Sequence, residues 1–272
     1  MKISIVVPVY HSNELLADFT RQTLESINTE THFIDLFLIV NYSLPQFYPK
    51  KEDYKLNSYI SNVYIADNPK GNQVSSAWNE GIRQALAKGN QYVIVANNDI
   101  VFHHKAIDNL VQFAVDHPEF LMWTASEWID IRTLNGVKEA DLENSFDTHP
   151  HFSCFMVNGK TISSLKEKEE GTKEPYPGYF DEDFQVGYFE DQDMAHRIAR
   201  ISKEASKSNL SKFYHYGSRT IKTDDRIFDL NKKTYEFNRD YFRKKWGYDP
   251  HSYCPKNDKE RLAKGYKNVF NQ

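Results

Sequence analysis

Two short acidic segments hold the residue types best suited to chemistry. Asn97-Asn98-Asp99 sets one carboxylate beside two amides, directly after the apolar run Tyr92 to Ala96. Hard cations such as Mg2+ or Mn2+ accept few protein oxygens and keep positions open for phosphate, and one Asp flanked by Asn suits that arrangement. An ordinary polar turn has the same composition, because Asn and Asp form local hydrogen bonds there. Glu190-Asp191-Gln192-Asp193 follows the aromatic pair Tyr188-Phe189. A carboxylate against an aromatic wall is partly desolvated, which raises its pKa toward neutrality and fits it for general-base work. The same acids also suit the first turn of a helix, where they complement the macrodipole, and Asp193 can pair with Arg197 one turn on. His215, in Phe213 to Ser218, can serve as a metal ligand or phosphate contact if the fold carries it to Asp99. His103-His104 reads as surface, since adjacent side chains diverge.

The first glycine of the chain is Gly71, so the turn after the first apolar run has none. That excludes a P-loop and a GxGxxG dinucleotide fingerprint in their usual place, and a bound nucleotide would need its phosphates neutralised by a metal ion instead. Cys154 and Cys254 are too few for a disulfide framework or a zinc cluster. The 272 residues, 40% hydrophobic and 14% aromatic, are enough for one large domain or a domain with a small appendage, and they argue against disorder. Ile3 to Tyr10 is too short and too interrupted for a spanning helix or a signal peptide, so the cytoplasm is the expected location. Residues 1–201 contain 17 Lys and Arg against 29 Asp and Glu, whereas residues 202–272 contain 17 against 9. A basic end on an acidic body predicts contact with phosphates, an anionic membrane surface (a peripheral association) or nucleic acid, unless the charges are solvated helix faces.

A scaffold has to bring these residues together. Lys2 to Tyr10, Phe33 to Val40 and Tyr92 to Ala96 are continuously apolar and rich in β-branched residues, the pattern of strands buried on both faces, and Asn62 to Ala66 is a shorter strand. Asn13 to Asn28, Val74 to Ala87 and Lys105 to Asp116 have helical spacing; further helices are expected from about Asp191 to Ile201 and, with a basic face, from Asn231 to Trp246. Residues 44–58 read as a loop and 163–175 as a mobile loop. Strands alternating with helices imply an α/β fold with a parallel sheet covered on both faces, whose ligand sits at the carboxyl ends of the strands. Those ends are Val9-Tyr10-His11, Asn41-Tyr42-Ser43, Ala66-Asp67-Asn68 and Asn97-Asn98-Asp99.

In this order, the segments resemble the family 2 nucleotide-sugar glycosyltransferases with the GT-A fold. Ile3 to Tyr10 is similar to the family's opening strand, and Asn68-Pro69-Lys70-Gly71-Asn72 with Trp78 to Ile82 to its N-x-G … N-x-G segment. Val95 to Asp99 is similar to the metal-binding segment in its NxD form, and Gly187 to Asp193 with Arg197 to the segment that supplies the base. His215 with Ser218 resembles the later His segment, and Asn238 to Gly247 the Y-x-x-K-W-G near the end; the match spans about residues 1–247.

The resemblance implies a GT-A domain over residues 1–220, a Rossmann-like, mostly parallel sheet with helices on both faces. Its nucleotide-sugar half would run to about residue 100 and its acceptor half from about 101, with a basic helical extension over 221–272. It also implies an inverting, metal-dependent transfer to a hydroxyl. Pro8, Val9 and Tyr10 would line the nucleobase, and Asn41, Asn68, Gly71, Asn79, Asn97 and Asn98 would surround the donor. Asp99, with His215, would hold Mn2+ or Mg2+, and Asp191 would deprotonate the acceptor while Glu190 and Asp193 orient the acceptor or the helix. The family's usual uracil-binding Asp is Asn41 here, an amide that can both accept and donate. UDP is the donor implied, and a saccharide of surface polysaccharide or glycoconjugate synthesis the acceptor. A nucleic acid base, as in some viral enzymes, and a non-catalytic nucleotide-sugar-binding module remain alternatives. A nucleotidyltransferase is disfavoured, because Tyr10-His11-Ser12-Asn13 lacks its Gly-rich basic loop. Trp123, Trp128 and Tyr179 suit stacking on a sugar ring or a base, though core packing is the commoner use of such residues.

Overall fold

Three strands without a polar face build the centre of the sheet. On β1 (Ile3–His11), Ile3, Ile5, Val7 and Val9 enter one apolar layer and Val6 the other. β2 (Ile34–Ser43) and β4 (Tyr92–Ala96) repeat the alternation, with Leu36, Leu38 and Ile94 opposite Phe37, Ile39, Val93 and Val95. Such strands require cover on both sides. α1 (Glu14–Glu25) and α3 (Ala106–Asp116) cover one through Leu24, Ile107 and Leu110, and α2 (Val74–Ala87) covers the other through Ala77, Trp78 and Ile82. The computed structural model describes residues 2–147, 149–167, 179–200, 203–217 and 219–251.

The sheet has nine strands, in the order β3 (Ile60–Asp67), β2, β1, β4, β8 (Cys154–Asn158), β6 (Met122–Trp128), β9 (Ala205–His215) and β5 (Ile100–Phe102), with β7 (Phe146–Asp147) beside β9. β5, β7 and β8 run against the rest, so the sheet is mostly parallel, as the sequence predicts. α5 (Gly159–Glu167) and α6 (Glu190–Arg200) join the layer of α2 through Ile162, Leu165, Met194 and Ile198. α4 (Ile131–Leu134) follows β6, and α7 (Arg219–Thr223) and α8 (Asp225–Trp246) follow β9. No helix among the described residues is long and apolar enough to cross a membrane.

Several expectations change. Residues 163–167 are helical rather than loop, because Ile162 and Leu165 lie three apart and are both fully buried; the remainder of 163–175 lies outside the described residues, as do Ile201, Ser218 and Cys254. His103 is buried, not on the surface: its Nε2 lies 3.1 Å from the Val137 carbonyl oxygen, and its ring sits 4.1 Å from that of His104. The last helix begins at Asp225, six residues early, because Asp224 caps it by accepting from the Arg226 N–H.

Gly81 sets the distance between α2 and β1. A Cβ there would lie 2.1 Å from Val6 Cγ1 and 3.0 Å from its Cγ2. Both residues are in the middle of buried elements, so Gly81→Ala is expected to destabilise the protein by about 1–3 kcal/mol, the usual overpacking range. Thermal unfolding checks this: Val6→Ala in the same chain should restore part of the lost Tm, and additive losses would show that the clash is not the cause.

Candidate active site

The carboxyl ends of β1, β2 and β4 open into a cleft of about 380 Å3, where a parallel sheet presents its ligand site. Of the residues expected from sequence, Pro8, Val9, Tyr10 and Asn41 line it, and so do Asn97, Asn98, Asp99 and His215. Glu190 and Asp191 complete the set. Asn68, Gly71 and Asn79 do not line the cleft. Asn79 staples α2 to the 179–182 segment: its Oδ1 accepts from the Tyr179 and Phe180 N–H groups, and its Nδ2 donates to the Phe180 carbonyl and to Glu182. Trp123 and Tyr179 are buried, and Trp123 packs in the core beside Tyr92.

Asn41 reaches the cleft through a break in register. Val9 pairs with Val40 but Tyr10 pairs with Tyr42, so Asn41 is an extra residue on β2, the kind of bulge that re-aims a side chain. Behind it, Asn68 Nδ2 donates to Asn41 Oδ1 (2.7 Å) and to the Gln73 carbonyl, while Asn68 Oδ1 accepts from Ser76 and the Lys70 N–H. These partners fix both amides, and Asn41 is left with its NH2 for a ligand. Asn68 therefore acts one layer back. Gly71 turns the chain beneath, at φ +56° and with its N–H on the Asn68 carbonyl.

Asp99 and His215 meet because β5 pairs Ile100 with His215. Asp99 Oδ1 lies 3.1 Å from His215 Nε2, and Asp99 Oδ2 accepts from the Arg219 N–H at 3.0 Å. Ser153 Oγ lies 3.3 Å from His215 Nδ1 and steadies the other side of the ring. Burial alone would lower the His215 pKa, but the hydrogen bond and charge of Asp99 outweigh it, and the net direction is up. Neighbouring ligands of an octahedral ion with bonds of about 2.1 Å stand about 3 Å apart, so this carboxylate and imidazole fit one Mg2+ or Mn2+. Among the described residues no third His, Cys, Asp or Glu joins them. Asn98 is spent on Thr20 (3.1 Å) and Thr220 (3.5 Å); Asn97 stays in the cleft.

The acid pair follows a backbone that few side chains tolerate. Val186, Tyr188 and Phe189 have φ of 59°, 76° and 75°, each a strained conformation worth roughly 1–3 kcal/mol. Glu190 is buried, its Oε2 has no hydrogen-bond partner, and burial and then the neighbouring Asp191 charge push its pKa up to about 8. Burial also raises Asp191, against the bonds its carboxylate accepts from backbone N–H and the nearby His151. Burial thus holds both acids toward the protonated form, and Glu190 also feels the charge of Asp191. Asp193 points away, to Lys245 (2.7 Å) and Trp246 Nε1 (2.9 Å), with Arg197 farther off at 4.0 Å.

His151, Ser153, Trp78 and Val186 line the cleft without having been singled out from sequence for it. His151 Nε2 is 2.9 Å from Glu127, a pairing between separate segments that no local spacing announces.

The model of the family described as glycosyl transferase family 2 matches residues 4–155, more than half of the chain. The chain belongs to glycosyl transferase family 2. The acid pair and His215 of this family 2 chain lie beyond the matched span. No curated protein matches the sequence. Among solved structures, the crystal structure of GalNAc-T7 with UDP, GalNAc and Mn2+ is similar at a TM-score of 0.56 and 13% identity, over 97% of this chain and 54% of that one. The likeness is one of fold, and the fold is GT-A. The family 2 chain spans about half the length of that GalNAc-T7 chain.

Glu190 makes stability depend on pH. The unfolded chain ionises this acid from the ordinary carboxylate range upward, whereas the folded chain holds the proton to about 8, so stability is lost as pH rises between the two. Glu190→Gln removes the loss. Its Tm should exceed that of the wild type at pH 8, by roughly 2–4 °C for each kcal/mol in a domain of this size, and converge with it near pH 4. Identical pH dependence of the two melting curves would return Glu190 to the ordinary range.

Proposed function

We propose that the chain transfers a sugar from a nucleoside diphosphate sugar to an acceptor hydroxyl with inversion at the anomeric carbon. The observation that carries this reading is the meeting, in one cleft, of the Asp99–His215 pair with two carboxylates of raised pKa. Asp191 takes the proton of the acceptor hydroxyl. The acceptor oxygen then bonds to the anomeric carbon as the bond from that carbon to the phosphate oxygen breaks, and the electron pair leaves with the diphosphate. Glu190, protonated, keeps a second negative charge away from the attacking oxygen. Asp99 and His215 would hold Mn2+ or Mg2+, which supplies neutralisation of the charge on the leaving diphosphate.

UDP is the proposed donor nucleotide. The Asn41 NH2 suits a carbonyl oxygen of a pyrimidine such as uracil, and the structural neighbour GalNAc-T7 was crystallised with UDP and Mn2+. A saccharide is the proposed acceptor, because Tyr188 lines the cleft with its ring 39% exposed and offers a face to a sugar. An anionic partner finds less support in α8, whose Arg239 and Arg243 pair with Asp249 and whose Lys245 is buried between Asp181 and Asp193.

Thermal shift with UDP-, GDP-, dTDP- and CDP-sugars, each with and without Mn2+, tests the donor site, since a ligand of the folded state alone raises its apparent stability. A Mn2+-dependent shift, largest with a UDP-sugar and lost in Asp99→Ala, is expected. A shift indifferent to Mn2+, or intact in Asp99→Ala, would overturn the Asp99 assignment. For the chemical step, Asp191→Asn should keep that shift and slow release of the nucleoside diphosphate by at least about 10²-fold, the usual scale of a lost general base. Undiminished release would move the base to another residue.

A further inference from the structure

Helix α8 grips the segment just before the acid pair. Asn238 is fully buried, and its Nδ2 donates to the carbonyl oxygens of Gln185 (2.8 Å), Gly187 (2.9 Å) and, more weakly, Tyr188 (3.4 Å). Its Oδ1 accepts from the Gln185 N–H at 2.9 Å. Carbonyls surround the nitrogen and an N–H faces the oxygen, so the amide has one orientation and neither a carboxylate nor an ammonium could replace it. On the same helix face, Tyr235 packs against the Tyr188 and Phe189 rings at 5.5 and 5.2 Å, and Phe242 lies 6.2 Å from Phe189. The far end of α8 is tied to α6 where Trp246 and Lys245 meet Asp193.

The segment gripped in this way is the one that contains the left-handed Val186, Tyr188 and Phe189. L-residues leave that conformation unless outside contacts over-determine it. Glu190 and Asp191 come directly after, so a rotation about the Phe189 backbone swings both carboxylates together.

We propose that Asn238 is a positioning residue for the transfer: it locks the 185–188 backbone and thereby the aim of Asp191 into the cleft, which makes α8 part of the catalytic unit. The inference rests on the reading of Asp191 as base. It accounts for a buried amide with four backbone partners at a position that does not itself line the cleft. A displacement of about 1 Å at a catalytic group is enough to slow a reaction about 10²-fold.

The test compares Asn238→Leu, which keeps the branching and heavy-atom count of the side chain, though bulkier, and removes all four hydrogen bonds, with Asp191→Asn. Two readouts are taken with whichever of the four sugar nucleotides stabilises the wild type: the Mn2+-dependent thermal shift, and release of the nucleoside diphosphate under saturating donor. Asn238→Leu is expected to keep the thermal shift and the donor KM within about twofold while release slows at least about tenfold, part of the loss a 1 Å displacement brings. Wild-type release overturns the proposal, and so does a parallel loss of donor binding, which would make Asn238 a general structural residue. Slowed release in Asn238→Leu with undiminished release in Asp191→Asn sinks the base assignment and transfers the aimed carboxylate to Glu190. If Asn238→Leu does not fold, Tyr235→Ala, a half-buried position in the same grip, should slow release with donor binding retained; unchanged release there also overturns the proposal.

Discussion

A buried ammonium decides how three parts of the chain sit together. Lys245 is 1% exposed, and its Nζ lies 2.7 Å from both Asp181 and Asp193. Burial alone would pull its pKa down; the charges of Asp193 and Asp181 outweigh that and hold it above the usual lysine value. Tyr241 donates to Asp181 and Trp246 to Asp193, so the carboxylates are hydrogen-bonded from α8 as well. Removing one partner from such a set strands a buried charge, typically at about 3–5 kcal/mol. The 179–185 segment, α6 and α8 therefore have one compatible arrangement, and the acid pair at the start of α6 inherits it.

The sheet divides the remaining work. Its parallel half leaves polar residues at the carboxyl edge because the strand interiors are buried on both faces and are almost wholly apolar. That edge supplies Tyr10, Asn41 and Asp99. The mixed half adds what a purely parallel sheet would leave out: β9 runs back beside β5 and delivers His215 to Asp99, while the segment before β8 brings His151 and Ser153. The cleft is thus shared by segments from the first strand to the last helix, and Ile227 of α8 lines it together with Thr220 and Ile221 of α7.

The two sides of the cleft differ in their local energetics. The strand-end side sits on extended strand ends, one bulge and a turn with Asn72 at φ 34°. The acid side sits on three left-handed side-chain-bearing residues compensated by hydrogen bonds from a distant helix. The left-handed backbone is thus concentrated beside the acids, where outside contacts must compensate it.

The amino-acid sequence by itself determined the strands, the helices between them and the polar edge, because period-2 and period-3.6 burial are written in local spacing: Val74–Ala87 and Tyr92–Ala96 begin and end where their side-chain pattern does. It also held Asp99, His215, Glu190 and Asp191, whose types carry their chemistry anywhere. Tertiary structure alone decided which polar residues line the cleft. Asn79 matches the family's segment yet spends its amide on Tyr179, Phe180 and Glu182, about a hundred residues away, and Asn41 becomes a donor only because Asn68 occupies its oxygen. The left-handed Val186, Tyr188 and Phe189 have no sequence signal, since none of the three is glycine, and Asn238, which bonds the carbonyls of Gln185 and Gly187, lies about fifty residues on. Spacing encodes what a residue's neighbours in the chain do to it; it does not encode a hydrogen bond from a distant segment.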